Sequence, residues 1–353
     1  MILIPIGSAG GALRPKIALV TSGVGTAHGG IGVVAQLIVS ALQKDTDVSV
    51  WQHPASLPRP LRVGFVGGRA FLGSLKRPDL VVYDHVHLAV LHAAIPSLRD
   101  IPYVVFLHGV EVWQPLVGRR GEALLGASLL IANSATTVAA TRAANPWLPN
   151  VEVVWLGVSV TPQPIDAGAL PPVGLIVGRM SRSERYKGHD AVMDAWPEIR
   201  AAVPDVKLLV LGTGNDERRL RRRVRDEGLC GIEFCGRLSD AERNRMYQSS
   251  RLLFYPSKQE GFGLASAEAA SFGVPVLGLA GTVIEELFPE GTGAILARDW
   301  GKHSIAQAAI PVLADSQLAS TLGRAAWNRV QNSFLEEHFA ERFRRALSSL
   351  IPA

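Results

Sequence analysis

Short apolar runs rich in β-branched residues alternate with helically spaced segments from one end of the 353-residue chain to the other. This alternation constrains the fold more than any other feature. KIALVTS, DVSVW, DLVVYDHV, PYVVFLHG, SLLIANS and VEVVWLG read as strands in the first part. GLIVGRM, VKLLVLGTG, IEFCG, RLLFYPS, PVLGLAG and AILA read the same way in the second. They seldom alternate polar with apolar residues, so they suit strands buried on both faces of parallel sheets. Segments such as HDAVMDAWPEIRAAV and SDAERNRMYQSS between them have helical spacing, and the pattern predicts an α/β architecture. It pauses at TPQPIDAGALPPVG, residues 161–174, where Pro162, Pro164, Pro171 and Pro172 suit an exposed linker, and then restarts. Two doubly wound, Rossmann-like domains are expected, over 1–162 and 163–333, followed by an amphipathic helix in 334–353 with Phe334, His338, Phe339 and Phe343 on one side. Ligands of such sheets bind outside the carboxyl ends of the strands, which places the expected site in the cleft between the domains.

Composition narrows the partners. At 48% hydrophobic and 19% charged, the chain is too apolar to be intrinsically disordered. Two cysteines, Cys230 and Cys235, exclude a disulfide framework, a four-cysteine zinc site and a Cys-x-x-Cys redox motif, and read as reduced, buried residues of a cytosolic protein. The start, MILIPIGSAGGALRPK, lacks the basic n-region of a signal peptide. Residues 17–43 and 123–141 are uncharged, but glycines break the first run and Asn133, Ser134, Thr136 and Thr137 cluster in the second, so neither reads as a transmembrane helix. The arginine-rich run 216–227, DERRLRRRVRDE, is flanked by acids and holds no aromatic residue. It reads as a solvated helix face rather than a nucleic-acid site.

Four segments carry chemistry. In SKQEGFGLASAEAASFGVPVLG, residues 257–278, Glu260 and Glu268 flank a Gly-rich turn that opens a helix and offers free backbone amides to an anion. Glu268 lies about two turns into that helix among small apolar residues, able to accept from sugar hydroxyls. The plainer alternative makes Glu260 a helix cap and Glu268 a surface residue. VGRMSRSERYKGHD, residues 177–190, sets Arg179 after a strand and Lys187 before a helix, with Arg182 and Arg185 as rivals for any anion. The Gly-rich loop GVGTAHGGIGVVAQL, residues 23–37, lacks clean dinucleotide spacing and a ribose-binding acid. FLHGVEVW ends a strand on His108, which is either a cleft residue or a satisfied core histidine. Asp84, His85 and His87 have a two-histidine spacing that would set both rings on one strand face, but a third metal ligand is missing and no metal site is expected.

Glu260 to Glu268, with EGFG and the downstream Gly-Val-Pro-Val, resembles the Glu-x7-Glu motif of retaining GT-B glycosyltransferases, glycosyltransferase family four in particular. The resemblance covers nearly the whole chain. It implies a GT-B fold in which the last helix crosses back to the first domain, and a metal-independent, cofactor-free transfer of a hexose from a UDP- or GDP-linked donor. Glu268 then serves the ribose, Arg179 and Lys187 the diphosphate, Phe262, Gly263 and Leu264 the same anion through their amides, and Gly236 and Arg237 the base. Gly29 and Gly30 let the backbone approach donor phosphate and acceptor, and His108 contacts the donor sugar at the reacting centre. Glu260 is the carboxylate to test as a nucleophile, although a same-face substitution would need none. Where many relatives carry Asn-Gly-Val-Asp, this chain has Leu156-Gly157-Val158-Ser159. A non-catalytic nucleotide-sugar binder, a GT-B epimerase, a phosphorylase and a dehydrogenase are the competing readings.

The formal charge of +5 lies entirely in residues 1–150, which hold 12 basic and 7 acidic side chains against 24 of each beyond. On an acceptor domain this surplus points to a lipid-linked, anionic acceptor in cell-surface polysaccharide or glycan biosynthesis. A cytoplasmic protein touching the inner membrane surface peripherally through Arg59, Arg62, Arg69, Lys76 and Arg77 is the expectation.

Overall fold

The computed structural model describes residues 14–52, 59–159 and 163–351, and the backbone alone for residues 59–63. Residues 1–13 of the amino-terminal segment read above for a signal peptide and Pro162 of the linker lie outside the described residues, as do the side chains of Arg59 and Arg62. Among the described residues twelve strands form two sheets, both wholly parallel. The first contains β1 (Lys16–Val20), β2 (Asp47–Trp51), β3 (Leu80–Tyr83), β4 (Tyr103–Leu107), β5 (Leu129–Ala132) and β6 (Val151–Val153), in the order β2-β1-β3-β4-β5-β6. The second contains β7 (Val173–Val177), β8 (Lys207–Leu211), β9 (Ile232–Gly236), β10 (Leu252–Phe254), β11 (Val276–Leu279) and β12 (Ala294–Ala297), in the order β12-β11-β10-β7-β8-β9.

Every residue of β3, β4, β10 and β11 is buried, which explains why those runs carry no polar alternation. The strand order reverses beside β1 and beside β7, so the loops after these two strands open onto a crevice at the carboxyl edge of each sheet. Those loops hold the Gly-rich segment and Arg179.

The chain returns to the first domain at its end. The helix Glu336–Leu347 buries Phe339 and Phe343 against the helix Gly29–Leu42, and Arg344 Nη1 donates to the Ala41 carbonyl at 3.0 Å. Phe334 precedes this helix, where its ring meets those of Trp155, Phe262 and Phe288 edge-on. The returning chain bridges Val158 to Leu335, and Ser159 Oγ donates to Glu336 Oε1 at 2.6 Å. Leu156-Gly157-Val158-Ser159 is thus a crossing point. A Cβ at Gly157 would stand 2.6 Å from Glu336 Cα and 2.7 Å from the Leu335 carbonyl oxygen.

The cysteines differ from expectation. Cys230 is exposed in the turn before β9, and Cys235 is half-buried on that strand, which is the edge of its sheet. The arginine-rich run is less solvated than its composition implies. Arg219 bonds Asp190 and Asp216, and Arg223, 17% exposed, bonds Asp190 and Asp194. No helix among the described residues is long and apolar enough to cross a membrane.

Gly157→Val is expected to lower stability by about 1–3 kcal/mol through overpacking at the crossing. Denaturant unfolding checks this, and an unchanged midpoint would contradict the close approach.

Candidate functional site

A cleft of about 760 Å³ runs between the domains. Its lining includes Gly29 and Gly30 from the first domain, and Arg179, Gly236, Arg237 and Arg243 from the second. Glycine is required around it. Gly236 has φ +70°, and a Cβ at Gly212 would collide with the Gly178 carbonyl.

On the second-domain side, Lys187 closes a 3-10 turn ahead of the helix His189–Ala202. Its Nζ lies 3.1 Å from Glu260 Oε2, with both side chains about one-fifth exposed. Burial works against the ammonium charge, but Glu260 beside it more than offsets this and holds the pKa above its ordinary value. Arg179 is largely exposed and its Nη2 meets Glu184 Oε1 at 2.5 Å. Its rival Arg185 is held by both oxygens of Asp216, at 2.9 and 3.0 Å, and is not free to serve an anion.

Glu260 leads into the turn Gly261-Phe262-Gly263 and the helix Leu264–Ser271. Gly263 sits at φ +84° as N-cap without a side-chain cap, and the amides of Phe262, Gly263 and Leu264 have no acceptor among the described residues. The Phe262 ring is buried against Phe334, so this residue can offer a ligand its backbone only. Glu268 is the fifth helical residue, just over one turn in rather than two, because the turn uses more of the segment than the spacing implied. Tyr247 Oη donates to its Oε2 at 2.9 Å and Arg243 Nε stands 3.4 Å from the same oxygen. Burial raises the Glu268 pKa, against the opposing pull of Arg243 and Tyr247. Oε1 carries no partner among the described residues.

On the first-domain side, His108 follows β4. Its Nε2 contacts the Asp84 carbonyl at 2.5 Å. A carbonyl can only accept, so Nε2 bears the proton and Nδ1 presents a lone pair. Burial lowers the His108 pKa, which keeps the ring neutral, while Glu111 and the Asp84 carbonyl pull the other way. Glu111 Oε1 accepts the amides of His108 and Gly109 at 2.6 and 3.2 Å. His85 and His87 lie in a tight helical turn beyond the end of β3 and not on the strand. Thr21 Oγ1 donates to the Asp84 carboxyl at 2.5 Å, His85 is still extended and caps the turn by accepting the His87 amide on Nδ1 at 3.1 Å, and the two rings stack at 4.8 Å. Among the described residues no group of three or more His, Cys, Asp or Glu is arranged to hold a metal ion.

The two sides meet at several points. Ser134 Oγ and Thr137 Oγ1 donate to the Gly261 carbonyl at 2.5 and 3.3 Å. A Cβ at Gly261 would collide with the His108 carbonyl. Glu286 of the second domain caps the first-domain helix Ala135–Ala144, accepting from the amides of Ala135 and Thr136 and from Thr136 Oγ1 and Trp155 Nε1 at 2.7–2.8 Å. Thr26 Oγ1 donates across the mouth to Asp240 Oδ2 at 3.0 Å. Sequence reasoning missed Arg243, Glu111, Tyr247 and Glu286. Only Glu111 left a local signal, a carboxylate three residues after His108.

Comparison with known proteins adds to the reading of the fold. The family model "Glycosyl transferases group 1" matches residues 171–315. A GDP-mannose-dependent monoacylated alpha-(1-6)-phosphatidylinositol monomannoside mannosyltransferase of Corynebacterium glutamicum is 29% identical over 182 residues, 49% of this chain and 47% of that protein. A glycogen synthase of Mycobacterium tuberculosis is 30% identical over 285 residues, 73% of this chain and 66% of that protein. The chain therefore spans about half to two thirds of the length of these relatives. The structure of Anabaena HepE in complex with UDP and glucose superposes with a TM-score of 0.76 at 18% identity, covering 95% of this chain and all of that one. Sucrose-phosphate synthase from Thermosynechococcus elongatus superposes at 0.72 with 20% identity, covering 96% and 99%. The fold is that of the GT-B glycosyltransferases.

Burial lowers the pKa of His85, His92 and His189 to about 4, and raises that of Asp84 to about 7. Below about pH 6.5 the unfolded chain takes up protons that the folded histidines refuse, so their contribution falls from about pH 6.5 to 4. Asp84 acts oppositely, favouring the fold at low pH and losing that favour as pH rises from about 4 to 7. Three histidines against one aspartate predict a lower urea midpoint at pH 5 than at pH 7. A higher midpoint at pH 5 would contradict the burial of these rings.

Proposed function

We propose that the chain transfers a hexose from a UDP- or GDP-linked donor to an acceptor with retention of configuration. The reading rests on one observation above all. Arg179 lines the cleft, Lys187 lies beside Gly178 of its wall, and Leu264, whose amide is unpartnered like those of Phe262 and Gly263, lies beside Gly30, so three sources of positive potential gather at the cleft. The bond that breaks joins the anomeric carbon to a diphosphate oxygen, and negative charge gathers on that oxygen as it leaves. Preorganised donors aimed at developing charge lower the barrier because they need no reorganisation. Such a site needs neither metal nor cofactor to stabilise the leaving group.

The other residues take their roles from their free atoms. Glu268 Oε1 accepts from a ribose hydroxyl, while Tyr247 and Arg243 fix Oε2. Gly236 and Arg237 flank the base. Arg179 turns from Glu184 to the diphosphate, and Lys187 shares its ammonium between Glu260 and a phosphate oxygen. Glu260 is thereby a positioning residue for Lys187 more readily than a nucleophile, since its carboxylate is already engaged. His108 receives a donor-sugar hydroxyl on Nδ1. Gly29 and Gly30 leave room for the acceptor at the junction. The acceptor hydroxyl attacks from the face the diphosphate leaves, and its proton passes to the departing phosphate oxygen, the strongest base within reach.

The relatives act on acylated phosphatidylinositol mannoside or build glycogen, by their names. The basic first domain favours the former kind of acceptor here, a lipid-linked saccharide met by a cytoplasmic protein at the inner membrane surface.

Glu268→Ala is expected to weaken nucleoside diphosphate binding about tenfold or more, as loss of a charged hydrogen-bond acceptor implies. His108→Ala should leave that affinity unchanged and lower the rate of donor hydrolysis or transfer about 10²-fold. Calorimetry and a coupled assay for released nucleotide check both, and the reverse pattern would overturn this division of roles.

A further inference from the structure

We propose that the outer face of the helix Arg59–Ser74 and the turn that follows it dock the chain on an anionic lipid surface. The inference deepens the membrane contact put forward under Proposed function, and rests on that reading for its setting. Its geometry stands apart from the cleft.

The helix packs inside out by the usual standard. Small residues face the sheet. Val66 and Ala70 are buried, Gly73 abuts the Trp51 indole so closely that a Cβ would collide with it, and Ser74 Oγ contacts the Phe71 carbonyl at 2.7 Å and Ser97 Oγ at 2.5 Å. Gly67 lies against Leu91. The bulky apolar residues face outward instead, with Phe65 38%, Phe71 49%, Leu72 66% and Leu75 64% exposed. A surface helix normally buries its large apolar side chains and exposes small or polar ones. A concentrated exposed apolar stripe marks a surface that something covers.

Charge identifies the occupant. Residues 48–78 contain five Lys or Arg and no Asp or Glu. The positive surplus of the first 150 residues is therefore matched by this one segment. Arg69, Lys76 and Arg77 are exposed beside the stripe and enter no ion pair among the described residues. A second copy of the chain docking through this face would set the same uncompensated cations against each other. The convex helix also offers no groove for a peptide. Apolar side chains flanked by cations suit the boundary between acyl chains and anionic headgroups, where the stripe enters and the cations stay at the phosphate level.

The test is flotation of the full chain with phosphatidylcholine vesicles, with and without a minor share of phosphatidylglycerol, at low and high salt. Binding is expected to the anionic vesicles alone and to fall with salt. Leu72→Ser with Leu75→Ser should weaken it at least tenfold, and Arg69→Gln and Lys76→Gln about fivefold each. All four side chains are exposed, so the stabilisation of these variants by UDP or GDP in a thermal melt should match the parent and certify their fold. Failure of the parent to float at low salt overturns the proposal. So does equal flotation of the Leu72/Leu75 variant, or light scattering that finds a dimer dissolved by that variant. If the vesicles bind but no nucleotide stabilises the chain, the docking surface stands and the transferase reading falls.

Discussion

The contact at Gly261 sets how far apart the two halves of the cleft stand. Its carbonyl takes hydroxyl hydrogens from Ser134 and Thr137, and its Cα lies where any Cβ would strike the His108 carbonyl. One residue of the second domain is thereby seated on the end of β4 in the first. Its chain neighbours follow from that seat. Glu260 precedes it and reaches Lys187, and Phe262 and Gly263 follow it and open the helix that carries Glu268. Glu286 supports the same arrangement by capping the helix Ala135–Ala144, where a carboxylate also meets the positive end of the helix dipole. Spacing between the domains, and so the distance from His108 to the diphosphate side, depends on these polar contacts together with the apolar contacts of Phe334 with Trp155, Phe262 and Phe288.

Electrostatics divides the molecule into two kinds of basic surface. On the second domain several cations are tied to acids: Arg185 and Arg219 with Asp216, Arg223 with Asp190 and Asp194, Lys187 with Glu260. Arg179 lines the cleft and Lys187 lies beside Gly178 of its wall, so an entering diphosphate can compete for both pairs. On the first domain the cations of residues 59–77 stand uncompensated around an apolar stripe. Paired cations hold a fold or await a specific anion, whereas unpaired ones attract an extended anionic surface.

Much of the fold was legible because parallel strands buried on both faces leave unbroken β-branched runs, and all the expected strands formed. Arg179 and His108 were legible as positions because each lies just beyond a strand end, and Lys187 and Glu260 because each directly precedes a glycine that opens a turn. What stayed hidden depends on distance in sequence. Glu286 lies about 150 residues from the amides it caps, and Arg185 was taken from the anion site by an aspartate in the next loop. The strand reading of Asp84, His85 and His87 failed because period two continues through them while His85 caps a helical turn that begins at Val86. The helix Arg59–Ser74 shows the limit most plainly. Periodicity detects that a helix has two faces, but which face turns inward is decided by the room Trp51 and Ser97 leave.

The central claim is that the cleft binds a diphosphate through Lys187, Arg179 and the free amides of the Phe262–Leu264 turn. It is tested most directly by calorimetric titration of the chain with UDP, GDP and ADP beside the corresponding monophosphates. The account predicts that one diphosphate binds at least tenfold more tightly than its monophosphate, and that Lys187→Ala removes most of the difference. Equal affinity for mono- and diphosphate, or a difference that survives Lys187→Ala, would contradict it.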